Sequence, residues 1–149
     1  MKTIICIWHY KNKGKTKTIK EILKLLKKRY IHKVIFHENE NNGEDFQEVI
    51  KIKKKQIGIE SMGDPCCGLK EKLDTMYTKH NCNLIICASR DYGKTTVEAI
   101  YKFAKENDFN IIWSSTYDTE DNVNLHDKVN SLKAKHILDV IKKLHLLKN

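Results

Sequence analysis

Short apolar runs alternate along this chain with segments of helical period. Thr3–Trp8 is apolar or β-branched throughout and predicts a buried strand. Ile19, Ile22, Leu23, Leu26 and Tyr30 recur at helical spacing, which predicts an amphipathic helix over about Lys15–Arg29. Lys33–His37 reads as a second short strand and Asn41-Asn42-Gly43 as a turn. Phe46–Ile52 alternates polar and apolar positions, as a half-exposed strand does. Ile57–Glu60 is another short strand, closed by Gly63, Asp64 and Pro65, and Leu69, Leu73, Met76 and Tyr77 mark the next helix. Leu84-Ile85-Ile86-Cys87, within Asn83–Ala88, is the clearest buried strand. Thr95 and Glu98 form a capping box ahead of Val97, Ile100, Tyr101 and Ala104, so a helix is expected to start there. Asn110–Ser114 predicts a last strand, and Val129, Leu132, His136, Val140, Ile141 and Leu144 mark a C-terminal helix.

Continuous apolar strands separated by amphipathic helices are the pattern of a sheet covered on both faces. The expected fold class is α/β: a single three-layer domain over residues 1–149, with a mostly parallel sheet of about five strands. The one proline, Pro65, leaves no interdomain linker.

Composition narrows the function classes. The chain has 149 residues, 40% hydrophobic and 32% charged, enough apolar material for a core. No run of about 18 apolar residues exists, which argues against a membrane partner. No small-residue cleavage site follows the first apolar stretch, so no secretory signal is expected. Cys6, Cys66, Cys67, Cys82 and Cys87 are odd in number and partly placed in strand-like runs. That usage fits reduced thiols and a cytoplasmic location.

The formal net charge is +9, and residues 1–36 hold ten lysines and Arg29 against the single acid Glu21. Such a basic surface suits a polyanion: nucleotide phosphates, nucleic acid or an anionic membrane. Of the 28 basic residues only Arg29 and Arg90 are arginine, so sequence-specific DNA recognition, which favours the arginine fork, is the less favoured partner. No C-x-x-C or H-x-x-x-H pair points to structural zinc. Trp8 and Trp113 fit core positions better than base-stacking platforms.

In sheets of this kind ligands bind beyond the carboxyl ends of the strands. The segment after the first strand is His9-Tyr10-Lys11-Asn12-Lys13-Gly14-Lys15-Thr16. It resembles the phosphate-binding loop of P-loop NTPases, G-x-x-x-x-G-K-[ST], in a strand–loop–helix context, with His9 where the motif has its first glycine. Ala88 through Thr95 competes, reading A-x-x-x-x-G-K-T. The strand after it ends in Trp113-Ser114-Ser115, without an acid. The first loop is instead followed by Gln56-Ile57-Gly58-Ile59-Glu60 and Ser61-Met62-Gly63. This is similar to the apolar strand and D-x-x-G of the kinase–GTPase division, with Glu60 in place of the aspartate.

The resemblance implies a nucleoside triphosphate as ligand and Mg²⁺ as cofactor. Backbone N–H groups of Lys11, Asn12, Lys13 and Gly14, and of the first helical turn through Lys17, would cradle the phosphates. Lys15 would reach the β/γ-phosphates and the Gly63 N–H would face the γ-phosphate. Thr16 and Glu60 would hold the metal. Asp64 could orient a nucleophile, and Arg90 could supply transition-state charge. The expected reaction is phosphoryl transfer to water or a small acceptor. Two alternatives stand beside it: a non-catalytic nucleotide or anion switch, and a basic nucleic-acid-binding protein. Self-association is compatible with all three.

Overall fold

The computed structural model describes residues 1–9, 14–64, 67–90, 94–119 and 122–147. These form, in chain order, β1 (Thr3–Trp8), α1 (Lys15–Arg29), β2 (His32–Glu40), β3 (Asp45–Ile52), β4 (Lys55–Glu60), α2 (Leu69–Thr78), β5 (Cys82–Ser89), α3 (Lys94–Asn107), β6 (Asn110–Ser115) and α4 (Val123–Lys143). One sheet of six strands, rather than about five, runs in the order β2-β3-β4-β5-β1-β6. It is mostly parallel but mixed. β1 pairs in parallel with β5 and β6, as β4 does with β5, whereas β3 is antiparallel to both β2 and β4. Only β3 therefore runs against the others. The cause is local: Asn41–Gly43 and the Lys53–Lys54 turn are too short for crossovers, so each closes a hairpin.

Period-2 alternation divides the core into two layers. Ile5, Ile7, Ile57, Ile59 and Ile86 meet Ile19, Ile22 and Leu26 of α1 and Ala134, Ile137, Leu138 and Ile141 of α4. Ile4, Cys6, Ile85 and Cys87 meet Leu69, Leu73 and Met76 of α2 and Ile100, Phe103 and Ala104 of α3. The domain is thus a three-layer α/β/α sandwich. α1 is lysine-rich, and it is the burial of its apolar stripe, about 1.5–3 kcal/mol per isoleucine or leucine, that holds it in place.

Two expectations shift. β3 is buried on both faces except at Lys51, because it lies between β2 and β4 rather than at an edge. β2 is the edge strand instead, longer than expected and almost wholly exposed. Among the described residues no helix is long and apolar enough to cross a membrane.

Candidate functional site

At the carboxyl edge of the sheet lies a polar cleft of about 210 Å³, lined by Lys15, Thr16, Asn41, Glu44, Asp45, Ser61, Gly63, Asp64 and Arg90. Three strand ends build it: β1 through α1, β4 through Ser61–Asp64, and β5 through Arg90. The fourth wall is the amino end of β3. Because β3 runs in reverse, its first residue, Asp45, comes to the same edge as the carboxyl ends of its neighbours.

α1 starts at Gly14, whose φ of 75 is left-handed. A Cβ there would lie 2.5 Å from Asn130 Oδ1 on α4, so both backbone conformation and space call for glycine. Gly14 offers no side-chain cap, and no acid stands in the first turn of α1. The positive end of the helix is therefore uncompensated by its own residues and suits an anion.

Lys15 is only 6% exposed, and its Nζ donates to the His9 carbonyl at 3.4 Å. Burial draws the ammonium down from the usual 10.5 to about 8; the nearby Arg90 adds to the drop, while Asp64 and Asp45 offset part of it. Next in sequence, the Thr16 hydroxyl donates to Asp45 Oδ1 at 2.9 Å. The Ser61 hydroxyl donates to the same oxygen at 3.1 Å, and Asn41 Nδ2 donates to Asp45 Oδ2 at 3.2 Å. Asp45 is 7% exposed and thus held by three donors from three segments.

Asp64 and Arg90 face each other, with Arg90 Nε 2.7 Å from Asp64 Oδ1. The contact is an ion pair without the alignment of an N–H···O bond. Gly63 packs against β5 so closely that a Cβ would lie 2.6 Å from the Ala88 carbonyl carbon. That close approach draws the Ser61–Asp64 segment down into the cleft floor.

Of the residues that the sequence singles out, Lys15, Thr16, Gly63, Asp64 and Arg90 line this one cleft. The structure does not bring Glu60 to them. Ile57 and Ile59 face α1, so Glu60, like Gly58, points to the α2 side. There it is fully buried, accepting from Gln47 Nε2 and from the Met62 N–H, with Lys72 Nζ at 3.4 Å. Burial, reinforced by the adjacent Glu40 carboxyl, raises Glu60 from 4.5 to about 8 against the pull of Lys72. The carboxylate beside Thr16 is Asp45, one of four cleft residues, with Asn41, Glu44 and Ser61, that the motif pattern does not assign. Lys17 is exposed and pairs with Asp127 of α4 at 3.3 Å, outside the cleft. Lys11, Asn12 and Lys13 lie outside the described residues.

Among the described residues no group of three or more His, Cys, Asp or Glu side chains is arranged to hold a metal. The donors that fit Mg²⁺ are Asp45 and Thr16, with Ser61 beside them. That sparse set matches a cation that takes one or two protein oxygens and completes its shell with phosphate and water. No family model, curated protein or solved structure matches this chain.

Proposed function

We propose that the cleft binds the phosphates of a nucleoside triphosphate with Mg²⁺ and supports transfer of the terminal phosphoryl group to water or a small acceptor hydroxyl. The observation that carries this reading is the convergence of Lys15, Thr16 and Asp45 with Arg90 at the uncapped head of α1. Lys15 and Arg90 supply positive charge on two sides of a bound phosphate, and Asp64 holds Arg90 in that position. Mg²⁺ would neutralise charge between the outer phosphates, held by Asp45 and Thr16. The described lining is polar and charged throughout, which suits the phosphates of the ligand. Titration calorimetry with ATP and GTP, with and without Mg²⁺, combined with a phosphate-release assay, tests the reading. Mg²⁺-dependent binding and turnover, both lost in Lys15→Ala, support it; no binding by the wild type refutes it.

One observation favours a non-catalytic switch instead. His9 stands where the motif has glycine and is 5% exposed, its backbone N–H donating to the Ser89 carbonyl at 3.3 Å. Its ring lies 3.9 Å from Asp118. A bulky wall at that point would suit binding without turnover, which the same pair of assays separates.

A further inference from the structure

The amino edge of the sheet, opposite the cleft, carries a second charged surface. α1 and α4 lie side by side, the first turn of α1 against residues 127–130 of α4 near the carboxyl edge, where Thr18 meets Asn130 and Lys17 meets Asp127. The far end of α1 therefore delivers Lys28 and Arg29 to the amino edge, where β2 begins and the Lys53–Lys54 turn joins β3 to β4. Neither residues 22–37 nor residues 49–59 contain an Asp or Glu. Lys28, Arg29, Lys33, Lys51, Lys53 and Lys54 are all exposed. Among the described residues none of the six has a carboxylate within ion-pairing distance. Asp45, Glu60, Asp64 and Asp118 gather at the other edge.

Complementarity with the helix dipole accounts for Lys28 and Arg29. It does not account for the rest. Lys33 and Lys51 stand directly opposite each other across β2 and β3, a like-charge pairing that disfavours the hairpin. Lys53 takes a left-handed φ of 54 in a two-residue turn, where Asn and Gly are less strained. The fold alone would be better served by other residues at these positions.

We infer that this corner binds the phosphate backbone of double-stranded nucleic acid without reading its sequence. Five of the six cations are lysines, point charges that suit phosphates and lack the fork for base edges. Tyr30 is half-buried against the core, and the His32 ring turns back to the Tyr30 carbonyl at 3.1 Å. Neither offers the stacking face that a single strand needs. A lipid surface fits less well. Ile31, Val34 and Ile35 are the exposed apolar residues here, a small apolar set beside six cations for burial among acyl chains.

The test is fluorescence anisotropy of a labelled, mixed-sequence DNA duplex titrated with the full chain across a salt series. Wild-type affinity should fall with a log–log salt slope of roughly −5, about 0.9 per neutralised phosphate. Two paired variants, Lys33→Gln with Lys51→Gln and Lys53→Gly with Lys54→Gln, should each weaken binding about tenfold or more and flatten the slope by about 2. The second pair puts glycine at the left-handed position and should keep or raise the Tm, separating lost binding from lost folding. Lys15→Ala should bind the duplex as the wild type does. Equal affinity of wild type and both paired variants, loss of duplex binding in Lys15→Ala, or binding to phosphatidylserine vesicles with none to the duplex would each overturn the inference.

Discussion

The Thr16 hydroxyl donates to Asp45 Oδ1 at 2.9 Å, joining the first turn of α1 to the start of an antiparallel strand 29 residues away. A carboxylate and a hydroxyl so placed can share one small divalent cation with a phosphate. Asp45→Asn keeps the shape and removes the charge. It should cut the Mg²⁺-dependent gain in triphosphate affinity on the order of 10–100-fold. Binding without Mg²⁺ should change little. Calorimetry with and without the metal, on a variant whose Tm has been checked, reads this directly.

Under the proposed function, Lys15 would link ligand binding to protons. Its ammonium is drawn down to about 8, and a bound polyanion would lift it back toward 10.5. Binding between about pH 8 and 10 should therefore take up protons, and affinity should fall as pH rises above 8. Calorimetry in two buffers of different ionisation enthalpy measures the uptake, which Lys15→Arg should abolish. The sign for stability follows from the same shift. Between pH 8 and 10.5 the unfolded chain binds the extra proton, so this group's contribution to stability rises with pH and is lost as pH falls through 8. Lys15→Met should raise the Tm of the empty protein at pH 7, by roughly 1–3 kcal/mol in stability, while removing binding.

Glu60 titrates in the other direction. Its carboxyl is raised to about 8, so between pH 4.5 and 8 the folded chain holds a proton that the unfolded chain releases. Its contribution to stability is present below 4.5 and lost as pH rises through 8. Glu60→Gln should flatten the stability profile over that window and leave triphosphate affinity within about twofold, since the side chain faces α2. Chemical denaturation at several pH values gives the first result; a Mg²⁺-specific loss of affinity would place Glu60 in the site after all.

Gly14 and Gly63 hold the cleft by closeness. Gly63→Ala sets a methyl group 2.6 Å from the Ala88 backbone and should cost about 1–3 kcal/mol together with weaker binding. Gly14→Ala meets Asn130 at 2.5 Å and a left-handed φ. Adding Asn130→Ala should recover the steric part and leave about 1 kcal/mol of backbone strain. Urea melts of the four proteins in that cycle test it.

Most elements were legible in the sequence because burial writes itself as period: Ile19, Ile22 and Leu26 mark α1, and Leu84 to Cys87 mark β5. The Lys15–Thr16 end of the cleft was legible too, since a Gly-Lys-Thr between strand and helix has a direct physical role. Asp45 was not. Its position depends on the direction of β3, which follows from two tight turns and not from the strand's own residues. Asn41-Asn42-Gly43 carried that signal, since a turn that short imposes a hairpin and brings Asp45 to the cleft edge. Glu60 shows the converse. The motif spacing pointed to the right strand, but the side chain one position on, Ser61, is the one that reaches Asp45 in the cleft. A one-residue step along a strand changes the face, and pattern alone does not count that step.

The most direct measurement is a crystal structure of the chain with Mg²⁺ and a non-hydrolysable triphosphate analogue. The outer phosphates should lie against the first turn of α1, between Lys15 and Arg90, with the metal between Thr16 and Asp45. An empty cleft, or phosphates seated at the head of α3 after Arg90, would contradict the account.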